Sequence, residues 1–143
     1  MKYYAVFDTN VLVSAMITHN SNSATVKVLE QVVKGSIIPL FNDEILLEYQ
    51  EVLHRSKFNL RENDILNMLD LLVENGCWAG RRTSDFPYPD ADDIVFFEVA
   101  MSKEGSFLVT GNTKHFPKAP TVVTPAQMLE ILGVLDEDEA MKR

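Results

Sequence analysis

The chain has 143 residues, of which 46% are hydrophobic and 24% are charged. These values are typical of a single globular domain that buries its own core. The net charge of −8 argues against a protein that coats nucleic acid non-specifically, because phosphates repel an acidic surface. It does not exclude a nuclease whose carboxylates are neutralised by metal ions.

The sequence shows no sign of a disulfide, a signal peptide or a membrane span, and this indicates a cellular location. The single cysteine, Cys77, excludes an internal disulfide and fits a reducing compartment. The first predicted strand starts directly after Met1 and Lys2, which leaves no room for a signal peptide. No apolar run approaches the ~20 residues that a membrane span needs. We therefore expect a cytoplasmic protein with no membrane partner.

The first element is a near-continuous apolar run at residues 3–7, which predicts a buried strand of a parallel sheet. Asp8 follows this strand directly, and Thr9 and Asn10 come next. Ligands of open α/β sheets bind outside the carboxyl ends of the strands, so Asp8 is a candidate catalytic residue. The alternative is that Asp8 or Asn10 only caps the helix that follows.

Helices and strands alternate through the next seventy residues. The predicted elements are, in order, a helix capped by Ser21 or Ser23 and ended by Gly35, a strand at 36–40, a helix capped by Asn42, a helix at 61–74 and a short edge strand at 77–79.

The helix after Asn42 carries three glutamates with different orientations. Its apolar residues form one stripe at about 100° per residue. Glu44 and Glu51 project toward solvent from this stripe, whereas Glu48 lies at its edge. Glu48 is therefore the glutamate placed to lean into a cleft, although an ordinary boundary glutamate occupies the same position.

A loop with two prolines at 81–89 leads into Asp90-Ala91-Asp92-Asp93. Arg81 and Arg82 in this loop are candidates for phosphate contacts or simply solvated side chains. Asp90 is a natural N-cap for the apolar helix that follows. Three carboxylates within four residues repel one another unless a cation lies among them, and we expect Asp93 to point inward.

The last third of the chain returns to the sheet. Gly105 ends the helix, a buried strand covers 106–110, and Gly111 and Asn112 follow at its carboxyl end. Lys114 and His115 continue as a loop beside the expected cleft. A strand at 121–123, a helix with a capping box from Thr124 to Leu132 and a polar tail at 136–143 complete the chain.

The order β-α-β-α-α-β-α-β-β-α predicts one three-layer α/β/α domain, residues 1–135, with a central parallel sheet of four to five strands. The parallel arrangement brings candidate ligands to one edge of this sheet. They are Asp8, Glu48, Asp90, Asp93 and Asn112. This all-oxygen set contains no cysteine and no histidine pair, and hard oxygen ligands select Mg²⁺ or Mn²⁺ over Zn²⁺. A cation held by carboxylates activates water and polarises phosphates, which indicates a metal-dependent phosphodiesterase.

The motifs in this order resemble the PIN-domain family, ribonuclease-like domains common in bacterial toxin–antitoxin systems. The resemblance covers Val6 to Leu132. It rests on four segments, namely Phe7-Asp8-Thr9-Asn10, the helix containing Glu48, Asp93 with its companion Asp90, and Val109-Thr110-Gly111-Asn112. The last segment departs from the family pattern, because Asn112 stands where the family has Asp.

The resemblance implies a metal-dependent endoribonuclease that is often a dimer and is often neutralised by a cognate antitoxin. Asp8, Glu48 and Asp93 would then be catalytic and metal-binding residues, with Asn112 completing the catalytic set. Asn10, Thr110, Lys114 and His115 are expected to position the RNA. Because Asn112 carries no charge, we expect one well-occupied metal site. The alternative is that Asn112 only shapes a turn.

Two other functions fit parts of the pattern. A haloacid-dehalogenase-type phosphatase also begins with a strand and a nucleophilic Asp. It requires a second Asp where Asn10 stands, and an acidic pair after the strand rather than before Thr110. A non-catalytic PIN-like module that binds RNA or protein is favoured by Asn112 and by the acidic surface.

Overall fold

The computed structural model describes residues 2–84 and 93–133 of the chain. The described residues form a single parallel sheet of five strands with helices on both faces, so the predicted α/β/α fold class is confirmed. The strands are β1 Tyr3–Phe7, β2 Ile37–Phe41, β3 Cys77–Trp78, β4 Phe107–Val109 and β5 Val122–Val123. The helices are α1 Thr9–Ile17, α2 Ala24–Lys34, α3 Asp43–Leu53, α4 Glu62–Asn75, α5 Ile94–Met101 and α6 Pro125–Leu132.

The sheet order is β3-β2-β1-β4-β5, which makes β1 the central strand. Phe7 pairs in register with Val109 of β4, and the amide of Asp8 donates to the Val109 carbonyl at 2.9 Å. The chain reverses direction immediately after this bond, where α1 starts. The carboxyl ends of β1 and β4 therefore lie side by side, and Asp8 and Thr110 follow them.

Two predicted boundaries were wrong. A separate helix, α1, follows β1, whereas the prediction placed only one helix between the first two strands. The apolar segment Val11-Leu12-Val13 is buried and begins this helix, and Ser23 then caps α2 by accepting from the amide of Val26. The fifth helix ends at Met101 rather than at Gly105, since the Ser102 hydroxyl donates to the Val99 carbonyl.

The other predicted caps agree with the structure. The Asn42 side chain accepts from the amide of Ile45 at 2.8 Å, and Thr124 and Gln127 form the expected capping box. Gly35 ends α2 with φ of 84°, a left-handed conformation that favours glycine. These local signals explain why the helices could be located from the sequence.

None of the described helices is long and apolar enough to cross a membrane. The predicted tail at 136–143 and the predicted N-cap Asp90 lie outside the described residues. The single domain at 1–135 stays a prediction.

Candidate active site

Asp8 is a buried carboxylate at the end of the central strand, with only 5% of its surface exposed. It occupies the N-cap position of α1, but its side chain makes no capping hydrogen bond. Its Oδ2 instead accepts a hydrogen bond from the Thr110 hydroxyl at 2.8 Å. The bond with Thr110 gives this aspartate a contact that capping alone does not require.

The electrostatics of Asp8 favour a nearby cation. Burial raises the pKa of its carboxyl above the ordinary value of 3.8, and the Thr110 hydroxyl, the amides of Asn10 and Thr9 and the nearby His115 offset part of this rise. Within residues 2–84 and 93–133, no ion pair to Asp8 is found. A buried carboxylate without an ion pair is costly when charged, and a bound cation would remove that cost.

A series of polar contacts leads from Asp8 to Asp93. Thr110, fully buried, donates to Asp8 and accepts from the backbone amide of Asn112 at 3.0 Å. The Asn112 Nδ2 lies 3.0 Å from His115 Nε2. His115 Nδ1 in turn lies 3.4 Å from Asp93 Oδ2. The structure thus brings together four sequence-predicted site residues around Asp8.

These contacts separate the roles of the predicted substrate-positioning residues. Thr110 is fully buried, so its hydroxyl orients Asp8 rather than reaching outward. Asn10 and Lys114 are exposed. Asn10 and Gly111 line a cavity of about 300 Å³ together with the first residues of α2 and α6.

Helix α3 is tied to the site through Tyr49. The buried Tyr49 hydroxyl donates to the Phe7 carbonyl at 2.5 Å, directly before Asp8, and its ring stacks on Phe96 of α5 at 6.0 Å. Burial and the charge of Asp8 both raise the pKa of Tyr49, so the hydroxyl stays a donor. Glu48, half-buried on the same helix, directly precedes this anchoring residue in sequence.

The sequence analysis missed a second buried acid. Glu98 of α5 is only 4% exposed, and it accepts from Arg81 Nε at 2.6 Å and from the Ser84 amide. Arg81 also contacts Glu44 of α3 at 2.5 Å, so it is not simply solvated. Glu98 is a charged residue inside the apolar run of α5, and a buried charge requires a partner. This position in the sequence was the signal that could have indicated the contact.

The donor set fits a hard divalent cation in kind, although the described residues do not assemble a complete site. Asp8 and Asp93 supply carboxylate oxygens, and the Thr9 hydroxyl is buried without a hydrogen-bond partner among the described groups. In the part of the chain that the structure describes, no group of three or more His, Cys, Asp or Glu side chains is arranged to hold a metal ion. Glu48 is therefore not grouped with Asp8 and Asp93, and Asp90 lies outside the described residues.

Fold and site together define an α/β protein with a buried carboxylate, Asp8, at the carboxyl edge of a parallel sheet. A sequence model of the PIN domain matches residues 4–114, more than half of the chain. The chain belongs to the PIN-domain family. No curated protein and no solved structure matches it.

Family membership confirms the resemblance and carries a coarse function. PIN domains are generally nucleases, they act on nucleic acid, and they typically use divalent metals. The chain is thus of the nuclease type, which argues against the phosphatase alternative.

Proposed function

We propose that this PIN domain is a metal-dependent endoribonuclease that uses Mg²⁺ or Mn²⁺. The observation that carries the proposal is Asp8, a carboxylate buried at the end of the central strand with a raised pKa and no ion pair among the described residues. The charged form of such a group is costly in the folded chain, and a bound cation would offset that cost. Carboxylates that hold a hard divalent cation are typical of enzymes that hydrolyse phosphodiesters.

Each residue is assigned a role from its contacts. Asp8 and Asp93 would hold the cation, together with Glu48 and Asp90. A bound Mg²⁺ or Mn²⁺ supplies an activated water and stabilises charge on the phosphate. Asn112 would complete the catalytic set with its uncharged side-chain amide. Asn10 and Lys114 contact the RNA backbone at the exposed rim.

The biological setting is part of the same proposal. We assign the protein to the cytoplasm, as the toxin of a toxin–antitoxin pair that forms a homodimer and is neutralised by a cognate antitoxin. Exposed hydrophobic side chains, among them Leu47 at 64% and Ile17 at 48%, offer surface to protein partners. Growth arrest on expression tests the toxin role, and light scattering of the purified protein tests the dimer.

The direct test is cleavage of an unstructured RNA by the purified protein with Mn²⁺, with EDTA as the metal-free control. The wild type should cleave, and Asp8→Asn should lose at least a hundredfold of the rate. Asp70→Asn, a change at an exposed aspartate of α4, is the matched control and should cleave like the wild type. Full activity of Asp8→Asn, or cleavage unaffected by EDTA, contradicts the proposal. Turnover of para-nitrophenyl phosphate without RNA cleavage would indicate a phosphatase instead.

A second candidate is a PIN-like module that binds RNA or protein without cutting. The observation that favours it is Asn112, which places a neutral amide where the family pattern has a carboxylate. This reading predicts RNA binding in EDTA with the same affinity for wild type and Asp8→Asn, and no cleavage product with any metal. Filter binding and gel analysis of the same RNA separate the two functions.

A further inference from the structure

The imidazole of His115 lies between the side chains of residues 93 and 112. One ring nitrogen, Nδ1, is 3.4 Å from Asp93 Oδ2, and the other, Nε2, is 3.0 Å from Asn112 Nδ2. A helical turn at Thr113–His115, in which the His115 amide donates to the Asn112 carbonyl at 3.1 Å, keeps the two residues adjacent. Both nitrogens of the ring are therefore engaged by site residues.

The two contacts of the His115 ring suit the two nitrogens of an imidazole. An imidazole with one N–H donor and one acceptor nitrogen can pair with a carboxylate on one side and with an amide N–H on the other. An acceptor nitrogen needs a donor, and the amide Nδ2–H of Asn112 provides it. An ionised aspartate at position 112 has no N–H to give. Asn112 and His115 thus form a complementary pair.

We propose that His115 takes the place of a second divalent cation by bridging Asp93 and Asn112, and so restricts the site to one cation. A Mg²⁺ ion shared by residues 93 and 112 would need an oxygen of each at about 2.1 Å. The ring inserted between the two side chains prevents this approach. This inference rests on the proposed function, since it concerns the metal site assigned there.

The first test is calorimetric titration of Mn²⁺ into four full-length proteins. We expect one bound ion for wild type, for Asn112→Asp and for His115→Ala. We expect two ions only for the double variant Asn112→Asp/His115→Ala, which has both the added carboxylate and the vacated space. A second ion in Asn112→Asp alone overturns the inference, and so does a single ion in the double variant.

Two further variants test whether a changed ion count comes from the loss of the His115 ring or from unfolding. His19→Ala removes a histidine that is exposed in the segment between α1 and α2, and Asn112→Asp/His19→Ala should still bind one ion. His115→Asn keeps a polar side chain too short to bridge and replaces the alanine if that variant does not fold. With Asn112→Asp it should bind two ions, and one ion there overturns the inference.

The second test needs neither metal nor RNA. In ¹⁵N spectra of the metal-free proteins, Asn112→Ala should shift the Nε2 resonance of His115 relative to the wild type, because it removes the contact with that nitrogen. An unchanged Nε2 resonance in Asn112→Ala overturns the inference. If the nitrogen spectra and the ion count agree with it while the wild type cuts no RNA, the proposed ribonuclease fails and the bridging role of His115 holds.

Discussion

The buried carboxyl of Asp8 is unfavourable in its charged form, and this predicts how the stability of the folded chain depends on pH. Its folded pKa lies above the ordinary value of 3.8 because of burial, so the ionised form is disfavoured in the folded chain. The metal-free wild type should therefore lose stability as the pH rises from about the unfolded value through the raised folded value. Asp8→Asn, which still accepts from Thr110, should be more stable than wild type at neutral pH.

Thermal unfolding in EDTA at a series of pH values measures this difference. The difference in stability between the wild type and Asp8→Asn should disappear toward low pH, where the Asp8 carboxyl is protonated in both the folded and the unfolded chain. Asp70→Asn should follow the wild type throughout. A wild type that is more stable than Asp8→Asn at neutral pH without metal would show that Asp8 is compensated by another group.

Thr110 makes a second prediction at the scale of the residue. Its hydroxyl joins the Asp8 carboxylate to the Asn112 amide, and the residue is fully buried. Thr110→Val keeps the shape but leaves both partners unsatisfied, which costs about 1–3 kcal/mol. Thr110→Ser retains the hydroxyl and should lose less. Urea unfolding measures both, and equal losses for the two variants would mean that the hydroxyl contributes nothing.

At the scale of the element, α3 tests which glutamate belongs to the site. Tyr49 anchors this helix at Phe7. We expect the half-buried Glu48, next to this anchor in sequence, to act at the site, whereas Glu51 is exposed. Glu48→Ala should reduce RNA cleavage at least tenfold, and Glu51→Ala should cost little, as surface substitutions usually do. Rates with Mn²⁺ decide between them. Inactivation by Glu51→Ala with normal activity of Glu48→Ala would reverse the assignment.

The junction of α4 and β3 gives a prediction about packing. A Cβ on Gly76 would lie 2.4 Å from the Pro39 carbonyl oxygen and 2.6 Å from that of Leu72. Both distances are shorter than a real Cβ contact, and backbone oxygens cannot move away as the end of a flexible side chain can. Gly76→Ala should therefore destabilise the fold by about 1–3 kcal/mol, the usual cost of overpacking. Gly80→Ala, with nothing within 4 Å of its Cβ, is the control. Similar unfolding midpoints for the two variants would contradict this packing.

At the scale of the whole molecule, the sheet and most helices followed from local sequence. Apolar runs, caps such as Asn42 and Thr124, and Gly35 mark the elements without reference to distant residues. The separate helix α1 did not follow, because it packs against two other helices, α2 and α3, that are distant from it in the local pattern. Its length depends on packing rather than on a cap.

The site was only partly predictable for the same reason. Asp8 and Asp93 stand at positions where strand and helix ends converge in any parallel sheet. The anchor from Tyr49 to Phe7 joins residues 42 positions apart, and the contact of Arg81 with Glu98 joins residues 17 positions apart. Such contacts depend on side-chain directions after folding, which no local motif contains.

The central claim is that the carboxylates at this edge of the sheet hold a divalent cation. The most direct measurement is anomalous diffraction from crystals of the full chain soaked in Mn²⁺. One peak is expected, with oxygens of Asp8 and Asp93 coordinating it directly or through water, and it should be absent from Asp8→Asn crystals. No peak at Asp8, or a peak that persists in Asp8→Asn, would contradict the metal-dependent mechanism.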